Sequence, residues 1–166
     1  MASLAERIHP ASGRRLASVA GGLLFGRALI CGAGELYAAD VANRHTDELV
    51  LIENDRSIVQ HAKCAGRLPG GYTIVETDVR DFDFGHKGWD SIFFNIFPVT
   101  HDMAGLALPI AASLRPGGRL VSTPSCQLPM VWPTELLTIE QEIHVCPSEP
   151  FYPCLRTYRA RPWPGG

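Results

Sequence analysis

The sequence predicts an α/β fold, a mostly parallel sheet covered by helices on both faces, on three observations. Short β-like runs alternate with helical stretches, most of those runs are continuously apolar, and a Gly-x-Gly turn closes the first of them. Strands buried on both faces need no polar alternation, so continuous apolar runs point to a parallel sheet rather than to a half-exposed antiparallel one.

The elements follow in order. Residues 1–25 read as a short helical segment. Within it Arg14 and Arg15 precede the apolar stretch Leu16 to Phe25, which imitates a secretory signal; Arg27 interrupts the stretch, and cleavage would remove the strand and turn that follow. Ala28 to Cys31 is the first strand and runs into Gly32-Ala33-Gly34; Glu48 to Glu53 is the second and ends on a carboxylate. Asp55 is placed to cap a helix whose Ile58, Val59, Ala62 and Ala65 share one face, closed by Gly66, and Tyr72 to Glu76 completes a right-handed βαβ unit as the third strand. Ser91 to Ile96 is the fourth strand. His101 to Leu114 reads as a helix that Pro109 kinks or divides, and Arg115-Pro116-Gly117-Gly118 as the reversal into a fifth strand, Arg119 to Ser122. Beyond Pro133 the alternating runs Thr138 to Val145 and Leu155 to Arg161 suit an antiparallel hairpin at the sheet end, joined by a proline-containing loop from Cys146 to Pro153.

A chain of 166 residues that is 46% apolar buries one substantial core, so a single domain over 1–166 is expected. The formal net charge of −2 arises from interspersed acids and bases, and no basic stripe indicates nucleic acid. No run reaches the roughly 18 to 20 apolar residues of a membrane helix. The five cysteines are an odd number, and Cys31 and Cys64 fall in core strand and helix, which favours a reduced, cytoplasmic protein. Cys126, His144, Cys146 and Cys154 hold no Cys-x-x-Cys pair, and His144 and Cys146 share a strand face by period two alone, so no metal is expected.

Glycines after a first strand let backbone approach a ligand, and a carboxylate about 20 residues later suits ribose hydroxyls. Gly32, Gly34 and Glu53 therefore outline a nucleoside-cofactor site.

Taken in order, these residues resemble the class I S-adenosylmethionine-dependent methyltransferase family from about Gly26 to Ser122 and, by strand count, to the C-terminus. Leu29-Ile30-Cys31-Gly32-Ala33-Gly34 looks like the family's first motif, Glu53 like the acid ending its second strand, and Thr77-Asp78-Val79 like its adenine-proximal loop. Trp89-Asp90 with its following strand, and Leu114-Arg115-Pro116-Gly117-Gly118, are similar to its fourth strand and the turn before its fifth. The resemblance implies a Rossmann-like three-layer sandwich whose mostly parallel seven-stranded sheet ends in an antiparallel hairpin. It implies S-adenosyl-L-methionine as cofactor, S-adenosyl-L-homocysteine as product, and a small-molecule acceptor. Cofactor contacts would come from Cys31, Gly32, Ala33, Gly34, Glu35, Glu53, Asn54, Asp78, Val79 and Asn95, with Asn95 and His101 beside the acceptor as candidate catalytic residues. Little chain lies outside the core sheet, so a homodimer or a small open pocket is expected.

Aligned on Cys31-Gly32-Ala33-Gly34, the family's first glycine falls on Ile30 and its strand-one acid on Ala28. Glu35 stands either as a substitute partner for the cofactor's ammonium or as a charge matched to a helix N-terminus. Glu53 is a ribose acceptor or a strand-end charge, Asp78 an adenine contact or a turn cap, and Asp55 a helix cap that lies near the adenine edge with Asn54. His101 is a general base or a surface histidine beside Asp102. Trp132, Phe151, Tyr152 and Trp163 line an acceptor or fill core and edge positions. Two other readings compete: transfer of the aminopropyl or aminocarboxypropyl arm of the same cofactor, and a non-catalytic binding module in which the fold has lost its cofactor.

Overall fold

The computed structural model describes residues 10–34, 36–65, 71–96, 101–123, 130–145 and 154–162. Glu35, Gly66, Cys126, Trp163 and the expected loop from Cys146 to Pro153, with Phe151 and Tyr152, lie outside the described residues.

Side-chain alternation along buried strands builds a core on each face of one sheet. In β1 (Gly26–Cys31), Leu29 and Cys31 enter one cluster, where they meet Val50 and Ile52 of β2 (Thr46–Glu53) and Ile92 and Phe94 of β4 (Trp89–Phe94). Ala28 and Ile30 enter the other, with Leu49, Leu51 and Phe93. Three helices cover that second face: α1 (Pro10–Gly22) through Leu16 and Ala20, α2 (Tyr37–Ala42) through Ala38, Ala39 and Ala42, and α3 (Arg56–Ala65) through Ala62. The opposite face is covered by Ile110 and Ala111 of α4 (Ala107–Ser113) and by Trp132, which stands edge-on to Phe94 with ring centroids 5.5 Å apart. The result is the expected three-layer sandwich.

The seven-stranded sheet has the order β3-β2-β1-β4-β5-β7-β6, with β3 spanning Thr73–Glu76, β5 Leu114–Ser122, β6 Leu137–His144 and β7 Cys154–Ala160. All pairs from β3 through β5 are parallel, and β7 runs antiparallel between β5 and β6. The chain winds outward in both directions from β1, so the connections leaving β1 and β4 diverge and open a crevice at the carboxyl ends of those strands.

Several expected boundaries shift for local reasons. The fourth strand is two residues earlier than expected, which leaves Asn95 just beyond its end, hydrogen-bonded through its N–H to the Cys31 carbonyl at 2.9 Å. The expected helix from His101 to Leu114 is a 3-10 turn, His101–Leu106, followed by α4. The division falls before Ala107 rather than at Pro109, because Pro109 sits in the first helical turn, where a missing N–H leaves no bond unmade. Arg115-Pro116-Gly117-Gly118 is not a reversal before β5 but an excursion inside it: Trp89 pairs with Leu114 and Ser91 with Arg119. Arg115 bonds Asp90 there, at the end of the sheet opposite the crevice. Asp55 caps α3 as expected, its Oδ1 accepting from Ser57 N at 2.9 Å.

The exposed edge strand β6 carries a register shift between Ile139 and Gln141 and solvent-facing Glu140 and Glu142, features that discourage further strand pairing. Trp132 is 8% exposed and packs between Phe94 and Tyr158, so it is core, not acceptor wall. Among the described residues no group of three or more His, Cys, Asp or Glu side chains is arranged to hold a metal, and no helix is long and apolar enough to cross a membrane.

Cys31 is fully buried, and desolvation pushes its thiol far above the ordinary value, whereas Cys64 on α3 is exposed. A thiol that does not ionise does not react with alkylating agents. Iodoacetamide treatment of the folded protein should therefore modify Cys64 and spare Cys31, as read by peptide mass spectrometry; equal labelling of both would contradict the strand's burial.

Candidate functional site

At the crevice the ends of β1, β2, β3 and β4 are tied together by backbone. Gly32 N donates to the Ile52 carbonyl at 2.9 Å, Thr77 N to the Glu53 carbonyl at 3.1 Å, and Asn95 Nδ2 to the Gly32 carbonyl at 3.2 Å. Gly32, Gly34, Glu53, Asn54, Asp78, Val79 and Asn95, residues drawn from four separate stretches of sequence, line one cleft of about 210 Å³. Ile52, Thr77, Ile96 and Met103 complete its walls.

The two glycines do different work. Gly32 has φ +86°, and a Cβ there would stand 2.5 Å from the Asn95 carbonyl oxygen, so its hydrogen atom permits the close approach of β1 and β4. Gly34 has φ +54°, but a Cβ there would meet only Asn95 Nδ2, at 3.7 Å; its open side faces the cleft.

A third left-handed residue follows: Leu36, φ 69°, is the N-cap of α2 and makes no side-chain capping bond. A left-handed leucine costs about 1–2 kcal/mol, and here the buried side chain offsets that strain. Among the described residues of this turn the left-handed positions are thus 32, 34 and 36, while Ile30 is a fully buried residue within β1, paired with Leu51 and Phe93. Ile30 therefore does not stand at a turn, and its β-branched side chain strains nothing.

Glu53 is the electrostatic centre of the loop. Its Oε2 accepts from Ala33 N at 2.8 Å and Gly34 N at 3.4 Å, and its Oε1 from Asn54 N and Asp55 N, both at 3.1 Å. One carboxylate thereby joins the glycine turn to the start of the next helix connection. It is 9% exposed, at the cleft wall.

Asp78 closes the far end. It caps the 3-10 turn Val79–Asp81, and its side-chain bonds with Arg80, then the Arg80 backbone N–H, hold its carboxyl down to about 2. Because the folded value is depressed, the associated stabilisation is complete above about pH 4 and is lost as the pH falls through about 2. Arg80→Ala should return the titration of Asp78 toward the ordinary carboxylate range, which carbon-13 NMR of the Asp78 carboxyl would follow; an unmoved titration would show that the guanidinium is not the cause.

Not all the sequence candidates reach the cleft. The Cys31 side chain points into the core beneath it, and Ala33 packs against the helix-covered face while its N–H serves Glu53. His101 begins the 3-10 turn beside the cleft, but its side chain is outside the described set, as is all of Glu35. Sequence reasoning missed Ile52, Ile96 and Met103, apolar residues indistinguishable in the sequence from core. It also missed Arg80, whose signal was its place two residues after an acid at a turn.

No family model matches the sequence, and no curated protein matches it. Among solved structures the chain is similar to the N-methyltransferase NodS from Bradyrhizobium japonicum WM9, with 17% identity and a TM-score of 0.66 over 92% of this chain and 95% of that one. NodS is also known in complex with S-adenosyl-L-homocysteine. The tRNA (m1A58) methyltransferase TrmI from Aquifex aeolicus is similar at 11% identity and a TM-score of 0.69, over 95% of this chain and 71% of that one. The complex between the Haloferax volcanii Trm112 methyltransferase activator and the putative methyltransferase is similar at 13% identity and a TM-score of 0.72, covering 92% and 91%. At these identities the likeness is one of fold: the chain has the Rossmann-like α/β fold that these methyltransferases share.

Proposed function

We propose that the protein is an S-adenosyl-L-methionine-dependent methyltransferase acting on a small-molecule acceptor. The observation that carries this reading is the convergence of Gly34, Glu53, Asp78 and Asn95 on one cleft at the switch point of a methyltransferase-like sheet.

The donor set fits the cofactor. Glu53 offers an acceptor to a ribose hydroxyl where its long bond from Gly34 N gives way, and Asp78, held ionised, offers an acceptor for an exocyclic amine. Ile52, Val79, Ile96 and Met103 form apolar walls for a purine. Gly34 lets the chain approach the amino-acid end without a side chain in the way. When bound, the cofactor supplies a methyl group on a sulfonium, which is already electrophilic. The chain's own residues then need only align the acceptor, exclude water and, for a protonated acceptor, accept a proton. Asn95, just beyond the end of β4 and bonded to the Gly32 carbonyl, is positioned to orient the acceptor, and His101, the first residue of the neighbouring 3-10 turn, is the candidate for taking a proton. The 3.4 Å bond from Gly34 N is the longest that Glu53 accepts, so it is the one a ribose hydroxyl displaces.

A small acceptor is favoured over nucleic acid because five arginines on and beside the sheet form ion pairs within the chain: Arg27 with Glu48, Arg115 with Asp90, Arg119 and Arg159 with Glu140, and Arg156 with Glu142. Neutralised in this way, these five side chains do not contribute to a basic track for a phosphate backbone.

Calorimetric titration with S-adenosyl-L-methionine and S-adenosyl-L-homocysteine tests the cofactor, followed by mass spectrometry of products from an acceptor screen. A gain of one methyl mass on an acceptor supports the proposal; a gain of an aminopropyl or aminocarboxypropyl mass identifies transfer of the other arm. Absence of binding to either ligand favours a non-catalytic module.

A further inference from the structure

Arg80 occupies a position that neither the glycine turn nor the ribose carboxylate explains. Three of its N–H groups converge on Asp78: the backbone N on Oδ1 at 2.9 Å, Nε on Oδ1 at 2.8 Å and Nη2 on Oδ2 at 2.7 Å. An ionised carboxylate presents about four acceptor directions. Among the described residues, then, one direction of the Asp78 side chain remains, on Oδ2. The other arm of the guanidinium, Nη1, pairs with Asp102 in the 3-10 turn His101–Leu106. The residue after Asp102 is Met103, which lines the cleft. One planar side chain therefore fixes the rotation of the carboxylate at the far end of the cleft and ties it to the wall beside it.

We propose that Arg80 is a positioning residue for base recognition: its fork leaves Asp78, which lines the cleft, a single remaining acceptor on Oδ2, which selects a 6-amino purine over a 6-oxo purine. The inference rests on the nucleoside reading of the cleft made above. A 6-amino group donates to that oxygen, whereas a 6-oxo group faces it acceptor to acceptor and leaves both unpaired, a mismatch that binding sites reject strongly. The planar fork is what sets the geometry, and a lysine ammonium, a point charge on a flexible stem, does not reproduce it. The Arg80 and Asp102 side chains are 45% and 55% exposed, so their pairing adds little to stability, and variants at either position should fold.

The test is calorimetry on the full chain with S-adenosyl-L-homocysteine and its 6-oxo counterpart, S-inosyl-L-homocysteine. The wild type is expected to prefer the 6-amino ligand by about tenfold or more. Arg80→Lys should weaken that ligand about three- to tenfold and shrink the preference toward unity, because the remaining acceptor is no longer held in place. Asp102→Asn should weaken both ligands alike and keep the preference, because it loosens the wall while the fork on Asp78 stays. A purely structural role for Arg80 predicts parallel losses for the two ligands, so an unchanged preference in Arg80→Lys overturns the proposal while leaving the cofactor assignment intact. Failure of the wild type to bind either ligand overturns the cofactor assignment, and this proposal with it.

Discussion

Glu53→Ala is expected to lower the unfolding free energy by about 2–3 kcal/mol and to abolish binding of S-adenosyl-L-homocysteine. Both effects come from the same atoms. The carboxylate accepts from Ala33, Gly34, Asn54 and Asp55, and its removal leaves four backbone N–H groups of two adjoining loops without that acceptor. Hydrogen bonds to a charged acceptor contribute about 1.5–3 kcal/mol each, and water entering from the adjacent cleft recovers part of the loss. Urea denaturation measures the first effect and calorimetry the second. A loss of binding in Glu53→Ala alone would therefore not separate a ribose contact from a collapsed turn. Glu53→Gln sharpens the comparison: its amide nitrogen cannot accept, so one pair of N–H groups loses its partner while the volume of the side chain is kept. Full stability in Glu53→Ala would contradict the structural role assigned to the carboxylate.

Gly32→Ala and Gly34→Ala, chemically identical changes two residues apart, should diverge sharply. At Gly32 the new Cβ would lie 2.5 Å from the Asn95 carbonyl oxygen at φ +86°, where an L-residue is strained in any case. The strain amounts to about 3 kcal/mol or more once backbone has to move, enough to prevent folding of a marginal domain. At Gly34, φ +54° lies in the left-handed region and the nearest atom is 3.7 Å away, so the cost is about 1–2 kcal/mol and the protein should fold. What Gly34→Ala is expected to lose is ligand affinity, because its methyl group occupies the open side at the cleft where the cofactor is proposed to bind. Thermal melts and calorimetry on both variants check the pair. A Gly34→Ala protein that binds as tightly as the wild type would place the ligand elsewhere.

These two variants mark how far the sequence could be read. Gly32-Ala33-Gly34 and Glu53 were legible because a strand, a glycine turn and an acid at strand two recur at a spacing set by the length of one βα unit. That the two glycines serve different ends was not legible, since it depends on Asn95, more than 60 residues away, lying against one of them. Leu36 in a left-handed conformation carried no signal at all: the burial that holds it there comes from a core assembled from several separate stretches of the chain. Ile52, Ile96 and Met103 read as core because apolar cleft walls and apolar core have the same composition. Arg115 to Gly118 read as a reversal because proline and glycines are turn residues in either setting; pairing with β4 made them an excursion within a strand.

By itself the sequence determined the class of the fold, the order of its strands along the chain, and the glycine turn and carboxylate that meet at the crevice. Those features depend on local periodicity, on turn chemistry and on short spacings, all of which are written in contiguous residues. Only the tertiary structure decided which backbone groups Glu53 holds, which glycine opens on the cleft, and that Arg80 spans Asp78 and Asp102. Each of these is a contact between stretches that the chain brings together only after the sheet has formed, and its energy depends on distances of tenths of an ångström that no residue's identity encodes.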